Sequence, residues 1–305
     1  MDTANINHVI VDWGTTNFRA FAMDAEHRLL ATKEASLGLL SVSDGNFAQA
    51  LQKQLGDWLD PENPFPVFMA GMVGSAKGWV NVPYAQTPAC ASDLVKNAYR
   101  FELPWGGEAI IIPGVSHNSQ NDQYDVMRGE EVQLLGLAEL IRKDDFQAVL
   151  PGTHSKQVAF EQGMINHFSS YLTGEVFSVF SEHTMLGKGL PKSETFDQVA
   201  FIKGVKEAQS GELTNKMFLA WTHRLFNNLK EQQIKDYLSG LLIGFELRNL
   251  SVQDVFLVGG QALCQRYELA LQQLSKNGQI FSGNDCFLAG MKKLISELQN
   301  EHYSK

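Results

Sequence analysis

The sequence predicts an α/β protein built from two related halves, and three observations carry that reading. Strand-like apolar runs alternate with segments of helical period along most of the chain. A strand–Gly-Thr–strand pattern occurs twice, as Val11-Asp12-Trp13-Gly14-Thr15-Thr16-Asn17 and as Val149-Leu150-Pro151-Gly152-Thr153-His154-Ser155-Lys156. A strand, Gly259-Gly260 and a helix follow near the far end. A length of 305 residues agrees with two domains rather than one.

Taken in order, residues 8–13 and 18–24 read as a strand pair turning through Gly-Thr-Thr, with 28–36 as a third strand. "NFAQALQKQLGDWL" (46–59) has apolar residues at helical spacing. "PVFMAGMVG" (66–74) is a strand entering a glycine turn, and "EAIIIPGVS" (108–116) is a buried strand ended by Pro113-Gly114. "EEVQLLGLAELIRK" (130–143) is a helix with acids in its first turn and bases in its last. The opening pattern restarts at 148–163, just after Asp144-Asp145, so the expected domains are residues 1–141 and 142–305. Helical period dominates from about 193 to 250. Residues 253–274 form a strand, a Gly-Gly turn and a helix, and 286–299 a closing helix.

Composition narrows the function classes. The chain is 44% hydrophobic and 19% charged, enough to build cores. No apolar stretch is long enough to span a bilayer, and "MDTANINH" lacks the pattern of a secretory leader. Cys90, Cys264 and Cys286 are widely spaced and suggest no disulfide framework, which fits a reducing cytoplasm. A formal net charge of −9 argues against non-specific nucleic-acid binding. No HExxH, GxSxG or P-loop spacing is present.

The two Gly-Thr hairpins are the main chemical clue. A Gly-Thr-polar tip can aim backbone N–H groups and hydroxyls outward as a nest for phosphate oxygens. Only the first copy carries an acid, since Leu150 stands where Asp12 does. One carboxylate beside phosphates can hold magnesium through its waters. The plain alternative is that Asp12 forms a turn and the tips are structural. Gly259-Gly260 suits a nucleoside lying against backbone, or simply tight packing. Gly240 and Gly244, four apart, read as helix packing. Glu130 and Glu131 at a helix start are dipole partners or a general base, Asp125 is a second candidate base, and Arg128 suits an anionic group. The glycine-rich run 70–84, with Trp79, Pro83 and Tyr84, reads as a loop of donors with an aromatic wall for a polyhydroxy ligand.

With those motifs in hand, the chain resembles a known group. The paired hairpins and "VFLVGGQAL" resemble the phosphate-1, phosphate-2 and adenosine motifs of the actin, sugar-kinase and heat-shock chaperone ATPase superfamily. "VDWGTTNFRAF", "AGMVGSAKGWVNVPY", "DVMRGEEVQLLG", "LPGTHSKQV", "YLTGEVF" and "YLSGLLIG" together resemble the 2-dehydro-3-deoxygalactonokinase family. The resemblance runs in order from about residue 9 to 263. It implies two ribonuclease-H-like domains, each a mixed five-stranded sheet flanked by helices, with ATP in an interdomain cleft and the last helix returning to the first domain. The implied reaction is transfer from ATP, with Mg2+, to 2-dehydro-3-deoxy-D-galactonate, giving the 6-phosphate in galactonate breakdown. The implied partners are the sugar acid and ATP, with no nucleic acid or membrane and with a homodimer allowed.

Residue by residue, the resemblance implies that Asp12 orients the metal. Gly14, Thr15 and Thr16 would cradle one side of the phosphates, and Gly152, Thr153, His154, Ser155 and Lys156 the other. Gly259, Gly260 and Gln261 would face adenosine. Gly71, Met72, Gly74, Ser75, Lys77, Trp79 and Arg128 would bind the sugar acid, with Glu130, Glu131 or Asp125 as base. A kinase for the gluconate epimer, an exopolyphosphatase-like phosphohydrolase, and a nucleotide-dependent binding protein of the chaperone or actin type are the rival readings.

Overall fold

A computed structural model describes residues 5–42, 45–119, 122–191 and 195–303. Part of the leader reading, at residues 1–4, and the start of the expected helical region, at 193–194, lie outside the described residues. The chain divides into two compact units. Unit 1 comprises residues 1–145, 160–167 and 284–305, and unit 2 comprises 146–159 and 168–283.

Unit 1 is organised on β1 (His8–Trp13), β2 (Phe18–Met23), β3 (Leu29–Ala35), β4 (Val67–Ala70), β5 (Ala85–Gln86), β6 (Tyr99–Glu102), β7 (Glu108–Ile111), β8 (Val115–Ser119) and β9 (Gln123–Met127). Its helices are α1 (Phe47–Leu55), α2 (Ala91–Lys96) and α3 (Glu130–Ile141). The main sheet has the order β3-β2-β1-β4-β7-β6, six strands where five were expected. The extra strand is β6, which pairs antiparallel with the edge of β7. β5, β8 and β9 form a separate three-stranded sheet. β1 lies between antiparallel β2 and parallel β4, and its continuous apolar run suits a strand covered on both faces. Trp13 is fully buried and donates its indole N–H to the Leu37 carbonyl at 2.9 Å.

Unit 2 contains β10 (Phe146–Leu150), most of β11 (Ser155–Glu161) and half of β12 (Met164–Tyr171). α4 (Thr173–His183), α5 (Gln198–Glu207), α6 (Leu213–Leu225) and α7 (Ile234–Leu247) follow, then β13 (Asp254–Gly259), α8 (Gln261–Gln273) and β14 (Asn277–Ser282). The sheet order β12-β11-β10-β13-β14 repeats the order β3-β2-β1-β4-β7 of the main sheet of unit 1, as a ribonuclease-H-like duplication requires. α4 lies outside the region read as helical and is an addition to the expected elements. Gly240 and Gly244 serve helix packing. A Cβ on Gly240 would stand 2.0 Å from the Phe201 carbonyl oxygen of α5.

α9 (Gly283–Tyr303) closes the chain, and from Asn284 onward it belongs to unit 1. It crosses α3 at two glycines. A Cβ on Gly136 would stand 1.7 Å from the Cys286 carbonyl oxygen, and one on Gly290 would stand 1.9 Å from that of Val132. α3 ends two residues earlier than its bases suggested. Arg142 caps it in the left-handed region (φ 55°), so Arg142 and Lys143 lie beyond the last turn. The three cysteines are free.

The glycine crossing makes a direct prediction. Gly136→Ala should lower the stability of the protein by about 1–3 kcal/mol or more in a denaturant titration, because backbone cannot retreat from a methyl group as a side chain can. Gly152→Ala, whose Cβ meets nothing within 4 Å, should stay within about 0.5 kcal/mol of wild type.

Candidate functional site

In unit 1 the β1–β2 hairpin sets the first part of the site. Its register places Asp12 directly opposite Arg19, and the Arg19 guanidinium donates to the Asp12 carboxylate. A second Arg19 nitrogen donates to the Asn284 amide oxygen on α9. The Asp12 side chain is only 15% exposed. Burial raises its carboxyl above the ordinary range, opposed by Arg19 and reinforced by the nearby Glu130 charge. Beyond Asp12 the tip closes with the Gly14 N–H donating to the Asn17 carbonyl at 2.9 Å, leaving Thr15 and Thr16 exposed.

Two glycines bring the other blocks to Asp12. β4 runs parallel to β1 with Ala70 beside Asp12, and the chain then turns at Gly71 (φ 95°). A Cβ there would stand 2.9 Å from the Trp13 carbonyl oxygen and 3.3 Å from Asp12 Oδ1. Gly129 (φ 112°) lies against Gly71 in turn and begins α3. The blocks around 12, 71 and 129, far apart in sequence, therefore meet.

Arg128 occupies the end of that arrangement. It is 8% exposed, its Nη2 donates to the Val82 carbonyl at 2.8 Å, and its guanidinium lies 4.2 Å from the centre of the Tyr84 ring. Gly74 leaves the space it fills, since a Cβ there would be 2.9 Å from Nη1. Arg128 Nε and Nη1 have no hydrogen-bond partner, and neither does the buried hydroxyl of Ser75. Buried polar atoms are almost always satisfied, so these three donors are exceptions within the packing of unit 1.

The two glutamates separate. Glu131 is fully buried and both its carboxylate oxygens accept from the Gly129 N–H, at 2.8 and 2.7 Å. Burial and the Glu130 charge push its carboxyl up to about 8. Glu130 is only half-buried, and its Oε2 accepts from the Arg128 N–H at 3.0 Å. Asp125 lies on β9, where its Oδ1 accepts from the adjacent Val126 N–H. Met72 begins a 3-10 turn and Lys77 is exposed on the same loop. Trp79 is half-buried. Its ring packs in the core against Phe47 and Phe101, and the aromatic wall over Arg128 is Tyr84.

Unit 2 carries the second hairpin and a cavity of about 690 Å³. Gly152, Thr173, Gly174, Phe196, Arg266 and Tyr267 are among its lining residues. Nothing lies within 4 Å of a Cβ built on Gly152 or Gly260, so both backbones are open to approach. Thr153 and His154 are exposed, and His154 Nε2 contacts Glu175 Oε2 at 2.7 Å. Ser155 and Lys156 turn inward, against the expectation that they face phosphate. The Ser155 hydroxyl donates to Glu246 at 2.7 Å, and Lys156 Nζ donates to the His154 carbonyl at 2.9 Å. Gly259 packs against Pro151 and Cys264, and Gln261 is exposed at the start of α8. Among the described residues, no cluster of three His, Cys, Asp or Glu could hold a metal ion.

Sequence reasoning missed Arg19, Asn284 and Glu246. Arg19 was within reach, because a four-residue turn from Gly14 to Asn17 puts residues 12 and 19 face to face. Asn284 and Glu246 left no local signal, since their partners are 265 and up to 91 residues away.

A duplicated sheet with a Gly-Thr hairpin in each copy, three unpartnered buried donors in unit 1 and a cavity in unit 2 that reaches Gly152 have the makings of a small-molecule kinase. Comparison with known sequences makes the class specific. The profile of the 2-keto-3-deoxy-galactonokinase family matches residues 12–294. A 2-dehydro-3-deoxygalactonokinase of Escherichia coli (strain K12) is 32% identical over 302 residues, covering 96% of this chain and 99% of the relative. A Rhizobium meliloti (strain 1021) protein described as a probable 2-dehydro-3-deoxygalactonokinase is 30% identical over 294 residues, covering 93% and 95%. A crystal structure from Sinorhizobium meliloti, provisionally described as the same kinase, superposes with a TM-score of 0.86 at 29% identity, covering 94% of this chain and 97% of that one. The chain belongs to the 2-keto-3-deoxy-galactonokinase family.

The raised Glu131 carboxyl sets a pH dependence. Its neutral form is favoured in the fold, so the stability it contributes is present below about pH 4.5 and is lost as pH rises towards about 8. Chemical denaturation across that window should show stability falling with pH by up to roughly 1.4 kcal/mol per unit, and Glu131→Gln should flatten the slope.

Proposed function

We propose that the chain transfers the γ-phosphoryl group of ATP to the 6-hydroxyl of 2-dehydro-3-deoxy-D-galactonate. The observation that carries the substrate assignment is Arg128, a buried guanidinium with two unpartnered donors packed on Gly74, next in sequence to Ser75, whose buried hydroxyl is also unpartnered. A sugar acid brings a carboxylate, which offers the planar pair of acceptors that such a fork matches. Leaving a guanidinium buried and half-satisfied is costly, and a substrate carboxylate offsets that cost on binding. Membership of a family whose characterised name specifies a keto-deoxy sugar acid supports the same reading.

Glu130 is the favoured general base. Glu131 is enclosed and committed to the Gly129 N–H, and Asp125 sits on a separate small sheet, whereas Glu130 is half-exposed and close enough to Asp12 to raise its carboxyl. Glu130 would accept the proton of the attacking hydroxyl, while Gly71 and Met72 hold the sugar backbone near it. Asp12, steadied by Arg19, would orient the water shell of a magnesium ion, which when bound neutralises charge on the transferring phosphate. The cavity of unit 2 would take the nucleoside, with Gly152, Thr153 and His154 donating to its phosphates and Gly260 open beside it. Among the described residues no helix is long and apolar enough to cross a membrane, in keeping with a substrate taken from solution.

ADP release by the purified protein with magnesium and ATP tests this directly. Release is expected with 2-dehydro-3-deoxy-D-galactonate and not with its gluconate epimer or without an acceptor. Equal release with both epimers would reject the narrow specificity, and release without acceptor would reject the kinase in favour of a phosphohydrolase. Arg128→Ala should raise KM for the sugar acid about 30- to 100-fold with KM for ATP unchanged, the loss of a charge-assisted hydrogen-bonded pair. Asp12→Asn should lower kcat by about two orders of magnitude while the thermal midpoint stays near that of wild type.

A further inference from the structure

A buried carboxylate in unit 2 gathers hydroxyl groups from three elements. Glu246, on α7, is 4% exposed and is not one of the residues lining the cavity. Its Oε1 accepts from the Ser155 hydroxyl at 2.7 Å. Its Oε2 accepts from the Thr173 hydroxyl at 2.5 Å and from the Tyr267 hydroxyl at 2.7 Å. Gln157 donates its side-chain amide to the Glu246 backbone carbonyl at 2.9 Å.

Each donor stands on a different part of the nucleotide half-site. Ser155 is the first residue of β11, directly after the Gly152–His154 tip. Thr173 opens α4, which rests on that tip: a Cβ on Gly174 would stand 2.4 Å from the Gly152 carbonyl oxygen, and the Glu175 N–H donates to the Thr153 carbonyl at 3.0 Å. Tyr267 belongs to α8, and both Tyr267 and Thr173 line the cavity. Hairpin, α4 and α8 are therefore tied to one carboxylate on a fourth element. Burial pushes the Glu246 carboxyl up against the pull of these hydroxyls, so its acceptors are held at a cost that packing alone does not require.

We infer that Glu246 is a positioning residue for the nucleotide: it fixes the distance between the phosphate-binding hairpin and the cavity wall, and so sets affinity for ATP and ADP without touching either. The inference rests on the reading that this cavity takes the nucleoside. Its consequence is selective, because the sugar-acid receptor of unit 1 shares none of these residues.

Calorimetric titration of ADP into the full-length protein, without acceptor, reads the effect independently of turnover. Glu246→Gln keeps the shape but replaces one acceptor oxygen by a donor. It should weaken ADP binding tenfold or more and raise KM for ATP by a similar factor, with KM for the sugar acid within twofold of wild type. Ser155→Ala removes one donor, leaves the carboxylate in place, and should weaken ADP about threefold in the same selective way. It decides the matter if Glu246→Gln does not fold. Wild-type ADP affinity in the folded variants, or equal rises in both KM values, would overturn the inference. Absence of ADP binding to the wild type would overturn the cavity reading and this inference with it. ADP binding without turnover of any sugar acid would sink only the substrate assignment, and the Glu246 comparison would still decide the positioning role.

Discussion

A side chain on Gly71 would strike the Trp13 carbonyl and crowd the Asp12 carboxylate, and one on Gly129 would come into contact with Gly71. Both glycines have positive φ, a conformation that other residues adopt only under strain. Backbone-on-backbone contact at these two points lets the end of β1, the turn after β4 and the start of α3 converge. The acid of the first hairpin and the donor loop could not approach this closely with a methyl group at Gly71, and Gly129 lets the chain turn into α3 through a positive φ. α9 supports the same convergence from behind, through Gly136 and Gly290 against α3 and through Asn284 beneath Arg19.

Charge is distributed with equal economy. Asp12 faces Arg19 across the hairpin, so its buried carboxylate has a fixed counter-charge before any ligand arrives. Arg128 is treated in the opposite way, stacked on Tyr84 and bonded to one carbonyl but with two donors left open. The pairing keeps a group in place, while the missing partner advertises what should come. Glu131 is locked to the Gly129 N–H and shaped by burial, which leaves the neighbouring Glu130 as the more accessible carboxylate of the pair.

The halves of this fold were legible because their signals are local. A buried parallel strand shows as a continuous apolar run, as at Val9–Val11, and the Gly-Thr tip recurs at 14 and 152, so the strand and the repeat follow. The strand–Gly-Gly–helix at 254–273 and the packing role of Gly240 and Gly244 were equally readable. What escaped depends on which way a side chain turns. Trp79 in a glycine-rich loop has no periodicity to show that it enters the core with Phe47 and Phe101. Ser155 follows a phosphate-like motif yet points at a glutamate 91 residues on. Arg128 stood out in the sequence as a candidate anion binder beside a helix start, but the open state of its donors belongs to three-dimensional packing by Gly74, Val82 and Tyr84.

The order in which the chain supplies unit 1 has a consequence for biosynthesis. Its sheets and α3 are complete by residue 145, but the helix that covers α3 and holds Asn284 under Arg19 begins only at 283, after almost all of unit 2. During vectorial synthesis the nascent first unit must wait, with the α3 surface around Val132 and Gly136 bare, while well over a hundred further residues leave the ribosome. The second unit, by contrast, receives its last strand before that helix is made. The later half can therefore finish folding first, and the unit begun earlier is the one sealed by a segment made after the second is complete.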